Sequence, residues 1–306
     1  MRKEVFMKAE LRKMKPYRWQ YFMISLGVIC LILFNYIPIL GLQIAFKDFK
    51  IGSSIWSGEW VGFKNFWFLR DSQFWKVMKN TVRLTMTKFA FSFPAPIILA
   101  LLINEIQNLR FKKIVQSITY IPHFISWVVI VYMLDSFLSP YSGLLNEAIT
   151  ASGGRAIYFM GDKRWFVPLF VIASIWKEVG WGTIVYLAAL SGINQELYEA
   201  ATIDGAGKLA QTRYITLPCL RPTISMLFIL ALPGILSAGV DAVYPLMNSA
   251  NMDVAAVLDI YILQNGLERG QYSFSTAVGM ISSIFSLILV LISNTVLKKV
   301  TGEGIW

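Results

Sequence analysis

The sequence predicts an all-α membrane protein with six transmembrane helices. Three observations carry this. Of 306 residues, 56% are apolar and only 15% charged. The apolar residues come in runs of about twenty, long enough for a helix to cross a hydrocarbon core. The basic residues behind the net charge of +10 cluster at the ends of those runs, as membrane orientation requires. They do not interleave with aromatics on one face, which argues against a nucleic-acid partner. Cys30 and Cys219 lie far apart and offer no disulfide framework or zinc spacing, and His123, the one histidine, cannot form a two-histidine metal motif.

Residues 1–18 form a basic N-terminus, and an apolar run over 19–46 follows. This run is too long for a signal-peptide h-region and lacks a small-residue cleavage site, so it is read as a retained first span. Residues 47–75 are a polar and aromatic loop. Lys76, Lys79, Arg83 and Lys88, spaced by three, four and five, lead into the second span, 84–103. They could share one stripe of a helix, and snorkelling at the interface explains them. Pro94 and Pro96 interrupt this span, which neighbouring helices tolerate by satisfying freed peptide groups. The remaining spans are expected over 114–138, 166–190, 223–246 and 274–297, completing a membrane domain over 19–300. Gly234 and Ala238 would form a small-xxx-small face on the fifth.

Six spans place both termini on one side. Arg2, Lys3, Lys8, Arg12, Lys13, Lys15 and Arg18, then Arg110, Lys112 and Lys113, then Lys208, Arg213 and Arg221, and finally Lys298 and Lys299 mark the segments on that side. The opposite loops carry fewer: Lys47, Lys50, Lys64 and Arg70, then Arg155, Lys163 and Arg164, then Arg269. The positive-inside rule therefore assigns both termini and the 191–221 loop to the cytoplasm.

That loop contains EAATIDGAGKLAQTRYITLP from Glu199 to Pro218. Asn194 can cap a short helix whose first turn carries Glu196. Ala200 and Ala201 make a small face suited to a partner's groove. Gly205 and Gly207 end the helix, and a second amphipathic segment, Lys208 to Ile215, leads to Pro218 and the fifth span. The spacing of Glu199, Ala200, Ala201, Gly205, Ile215, Leu217 and Pro218 resembles the EAA loop of ABC-importer permeases. Chance would produce it roughly once in 10⁶ chains of this length.

The resemblance covers roughly residues 20 to 300. Trp176, Gly180, Leu187, Ala188, Leu190, Ile193, Leu197 and Tyr198 are similar to carbohydrate-uptake permeases of the maltose-transporter type, as are Trp60 to Phe63, Asn80, Thr81, Pro122, Gly143 and Asn146. The basic N-terminus and Phe46 to Phe49 look most like permeases for pectin-derived or other complex oligosaccharides; the large outer insertion of the maltose permease is lacking. The resemblance implies the type I ABC-importer permease fold in a bacterial inner membrane. It also implies a second homologous permease subunit, two cytoplasmic ABC ATPases that hold ATP and Mg, and an extracytoplasmic sugar-binding protein. Coupling falls on Glu199, Ala200, Ala201, Asp204, Gly205, Ile215, Leu217 and Pro218.

No catalytic, cofactor or metal site is expected on the chain itself. Gly205, Ala206, Gly207 and Lys208 look like part of a phosphate loop. However, Thr202 stands where its first glycine belongs, and Leu209 replaces the Ser/Thr. Lys177 and Glu178 in the fourth span and Asp241 in the fifth are substrate-path candidates, because burying charge in lipid is costly. An internal ion pair is the competing reading. Trp176, Trp181 and Tyr244 could stack on sugar rings or simply pack, and His123 is read as a packed or pore-edge polar residue. An ion-gradient-driven transporter would explain the charges but not the loop spacing; a membrane enzyme lacks a nucleophile–base constellation.

Overall fold

A computed structural model describes residues 15–302 of the chain. Most of the basic N-terminus, residues 1–14, lies outside the described residues. Helix α1, Arg18–Phe46, widens into a π turn at Ile32–Tyr36 and tightens to 3-10 geometry at Leu40–Phe46. Its first half, Arg18–Leu31, buries no side chain; only its far end packs on the bundle. The loop that follows is not purely irregular. It contains a two-stranded antiparallel hairpin, β1 Lys47–Asp48 with β2 Glu59–Trp60, and a 3-10 stretch at Gly62–Arg70.

Helix α2 runs Ser72–Asn104, beginning well before the expected residue 84 because the Asp71 side chain caps it by accepting from the Gln73 N–H at 3.0 Å. Pro94 and Pro96 do not end it. The expected third span, 114–138, is two helices, α3 Leu109–Phe124 and α4 Trp127–Leu138, meeting at 103°. Pro122, which lacks an N–H to donate, sits in the 3-10 turn Ile121–Phe124 that closes α3, and Ile125 and Ser126 are extended. After α5 (Leu144–Ala151), the loop is fastened by buried Asn146, whose amide donates to the carbonyls of Leu138, Ser139 and Ile157.

Helix α6, Lys163–Ser191, is the axis of the bundle: half of its most apolar stretch is buried, and α2, α3 and the later α8 pack around it. The bent α3–α4 pair crosses alongside it. Thr119 lies against Gly180, Trp127 stacks on Phe170, and Leu138 packs with Leu169, so the pair runs antiparallel to α6 from one end towards the other. Phe166, Phe170 and Val171 of α6 join Leu84, Val131, Val243 and Ile260 in the largest apolar core.

A short helix, α7 Glu196–Ile203, precedes α8, Lys208–Leu236. The expected fifth span, 223–246, is thus displaced: the helix starts at Lys208, runs through Pro218 and Pro222, and stops at Leu236. A π turn at Thr212–Thr216 sits just before Pro218, a local adjustment that accommodates a proline without a break. Pro218 therefore lies within a continuous helix. Gly239, at φ +85°, turns the chain beyond it. Ala238 falls past the helix end and Gly234 has open space around it, so the two form no helical small-residue face. Four short elements follow: α9 Val240–Val243, a 3-10 turn at Tyr244–Leu246, α10 Met252–Ala255 and α11 Leu258–Leu263. The last helix, α12, is Tyr272–Thr301.

At Gly180 the α3–α6 approach is backbone to backbone: an added Cβ would sit 1.9 Å from the Thr119 carbonyl oxygen. Gly180→Ala should therefore push the helices apart and destabilise the chain by about 1–3 kcal/mol, read as a lower unfolding temperature in detergent. At Gly279 an added Cβ meets nothing within 4 Å, so Gly279→Ala should melt like the parent; equal melting of the two variants would refute the close contact.

Candidate coupling loop and translocation path

The 191–221 loop is built from local capping. The Asn194 side chain accepts from the Glu196 N–H at 3.0 Å, while Glu196 and Glu199 place negative charge in the first turn of α7. At the other end the Gly205 N–H donates to the Thr202 carbonyl at 3.0 Å and the Ala206 N–H to that of Ala201 at 2.8 Å. This pair of bonds is a Schellman cap, with Gly205 at φ +81° in the left-handed position. Three side-chain hydrogen bonds then fold α7 back onto α8. Tyr198 Oη and Thr216 Oγ1 lie 2.9 Å apart, and Gln211 donates to Thr202 Oγ1 at 2.9 Å and to the Ala206 carbonyl at 3.2 Å.

The result is a stiff helix-turn-helix. Lys208 also pairs with Glu105 at the end of α2, at 3.2 Å, across an open groove of about 750 Å³ lined by Asn104–Gln107 and the loop. Glu199, Ala200, Asp204, Gly205, Leu217 and Pro218 are exposed, while Ala201 and Ile215 are half-buried. Ile203 and Leu209, 87% and 84% exposed, are the apolar knobs at the tip. Their polar-loop setting hid them from pattern reading, since nothing in the local sequence says which side of the turn faces away from the bundle.

The in-span charges occupy a different place. Lys177 is 8% exposed, and its ammonium donates to the carbonyls of His123 at 2.5 Å and Ile125 at 2.6 Å. Those are the peptide groups freed where α3 breaks from α4. Glu178, half-buried, meets His123 Nδ1 at 2.8 Å. The same imidazole stacks on Trp181 with ring centres 4.4 Å apart and planes 5° from parallel. Lys177, Glu178 and Trp181 are therefore brought together around one elbow. Lys177 and Glu178 turn to separate partners, so the ion pair between them is replaced by a clamp on the bent helix. Trp176 is exposed on the same helix, and Asp241 and Tyr244 are exposed on the separate Val240–Leu246 segment.

Sequence reading missed Asp259. Its carboxylate accepts from the N–H groups of Ala238 at 2.7 Å and Gly239 at 3.0 Å and from Ser237 Oγ at 3.1 Å, holding the turn where α8 ends. Asn80 and Thr81 tie α2 to the same end of the bundle: Asn80 donates to the carbonyls of Asp253 and Ala256, and Thr81 Oγ1 accepts from the Leu258 N–H. Lys76, 3.0 Å from Asp253, holds that exposed carboxyl below the usual carboxylate range by hydrogen bond and charge.

Comparison with known proteins agrees with this arrangement. The family described as binding-protein-dependent transport system inner membrane component matches residues 92–301. Protein LplB of Bacillus subtilis (strain 168) is 41% identical over 294 residues, covering 96% of this chain and 92% of that protein. The polygalacturonan/rhamnogalacturonan transport system permease protein YteP of the same organism is 43% identical over 300 residues, covering 98% and 94%. Among solved structures, a chain of a bacterial alginate ABC transporter in complex with an alginate pentasaccharide-bound periplasmic protein superposes with a TM-score of 0.87. It is 36% identical, covering 96% of this chain and 99% of that one.

The elbow yields a test. Lys177→Met would leave the His123 and Ile125 carbonyls without their charged donor, each such bond contributing about 1.5–3 kcal/mol. The yield of folded, monodisperse protein in detergent should fall in parallel with any transport activity. Full yield and unchanged melting would refute the clamp.

Proposed function

Because the chain belongs to the family of binding-protein-dependent transport system inner membrane components, we propose that it is the permease subunit of an ABC importer for a carbohydrate, in the bacterial cytoplasmic membrane. The bent pair counts as one span, which makes six with both termini in the cytoplasm, the 19–300 bundle as the permease domain and 191–221 as its coupling loop. The cargo is an oligosaccharide; a relative at 43% identity is named for polygalacturonan and rhamnogalacturonan transport, which favours a pectin-derived sugar. A binding protein delivers it at the outer face, a second permease completes the path, and two ATPases that hold ATP and Mg hydrolyse it below. No covalent chemistry falls on this chain.

One observation carries the reading: the stiff, protruding α7 turn is continuous through Lys208 with the 29-residue helix Lys208–Leu236. A partner that grips Glu199, Ala200, Asp204 and the apolar tip residues Ile203 and Leu209 moves that helix directly. ATP binds one arrangement of the ATPase pair better than the other, and this differential affinity shifts the bundle between inward- and outward-open states. The rival, an ion-gradient-driven transporter, needs titratable groups free to change partners; Lys177, its natural carrier, is held by two carbonyls.

Purification in mild detergent should bring down a second permease and an ABC ATPase, and sugar-loaded binding protein should stimulate ATP hydrolysis by the complex. Gly205→Pro cannot adopt the left-handed φ that the cap requires, and Glu199→Lys reverses the charge of the first turn. Both variants should insert normally yet lose most ATPase association or stimulated hydrolysis. Normal coupling in both would remove the loop from the mechanism, and uptake by the chain alone along a proton or sodium gradient would favour the rival.

A further inference from the structure

The basic residues of α2 do not form one stripe. On a regular helix Lys76, Lys79 and Arg83 fall within roughly 60° of one another, while Lys88 is rotated from Arg83 by roughly 140°. The first three are exposed near the start of the helix. Lys88 is the midpoint of Ser72–Asn104, roughly 7.5 Å along the axis beyond Arg83, where the helix has turned apolar. A charge carried on an apolar stretch calls for a compensating partner.

The structure supplies only part of one. Lys88 is half-buried and lines a cavity of about 290 Å³ with Thr85, Phe89, Ser92, Phe93, Gly234 and Ser237, between α2 and the end of α8. Among the described residues its ammonium makes no ion pair or hydrogen bond; it lies 5.6 Å from the centre of the Phe170 ring. Glu178 attracts it through space but is itself bound to His123. On the same cavity wall the Ser92 hydroxyl is shut off from solvent and has no partner. Phe89 and Phe93 stack side by side, 5.2 Å between ring centres, and offer an apolar wall.

A cation beside an aromatic wall is the complement of an acidic sugar. The carboxylate would accept a charge-assisted bond from Lys88, and the apolar ring face would lie on Phe89 and Phe93. A neutral sugar would leave the ammonium uncompensated. The geometry points to Lys88 as the anion contact of the translocation path, and to a uronate-bearing oligosaccharide as the cargo class. This rests on the importer reading above and deepens it.

The test uses the intact complex with its partner permease, ATPases and binding protein in proteoliposomes. Trigalacturonate and its fully methyl-esterified, neutral form are each supplied at saturating binding protein. Lys88→Met should lower import of the acid by about tenfold or more, the loss of one charge-assisted contact, while import of the ester changes less than about twofold. Lys88→Arg, which keeps the charge, should retain most of the acid import. Equal loss of both sugars in Lys88→Met would make the lysine a prop against Phe170 and overturn the proposal, as would unchanged acid import. Parent import of the ester in preference to the acid would overturn the acidic cargo and leave the importer reading standing. A parent complex that moves neither sugar and hydrolyses no ATP in response to either would bring down the importer reading, and this one with it.

Discussion

A helix that breaks inside a membrane frees peptide groups that lipid cannot satisfy, and this bundle depends on how two such breaks are paired. Where α3 breaks from α4 just beyond Pro122, the carbonyls of His123 and Ile125 are taken by the ammonium of Lys177. Where α8 ends, the N–H groups of Ala238 and Gly239 are taken by the carboxylate of Asp259. Acceptors meet a cation and donors meet an anion, so each charge, Lys177 buried and Asp259 half-buried, is the complement of the backbone groups it caps. The hydrogen bonds offset what it costs to take these charges out of water.

These two clamps also fix which helices move together. Lys177 and Glu178 bind the elbow to α6, and Gly180 lets α3 approach the same helix backbone to backbone. The α3–α6 unit is therefore rigid at mid-bundle. Helix α8 is roughly 43 Å long and links the turn at Lys208 to the cavity wall at Gly234 and Ile235. A displacement imposed at the α7–α8 turn would reach that wall through one continuous helix, with the π turn at Thr212–Thr216 as its one widened point.

What sequence could reveal follows from the range of each interaction. Asn194 as a cap and Gly205 as a left-handed stop depend on neighbours within a few residues, and both were legible. The apolar runs located the helices for the same reason. The end of the fifth did not follow: apolar residues continue to Leu246, but Gly239 and a carboxylate twenty residues further on decide where the helix stops. The elbow was equally hidden. Pro122 announces a disturbance, yet the 103° bend is sustained by Lys177, more than fifty residues away, and a lysine in an apolar run carries no label saying whether it faces a peptide carbonyl or a path.

Lys177 and Lys88 show how that ambiguity is resolved. Both are lysines in long apolar helices, and composition treats them alike. Lys177 has its hydrogen-bonding capacity taken up by backbone oxygens, so a passing solute would have to break two charge-assisted bonds to reach it. Lys88 has an aromatic ring on one side, a distant and already engaged carboxylate, and a cavity on the other. Residues that hold a membrane bundle together are those whose polar atoms are already paired in the resting fold. A lysine whose pairing is left incomplete beside a cavity is the one proposed to meet cargo, and it is that difference, not the presence of charge, that distinguishes Lys88 from Lys177.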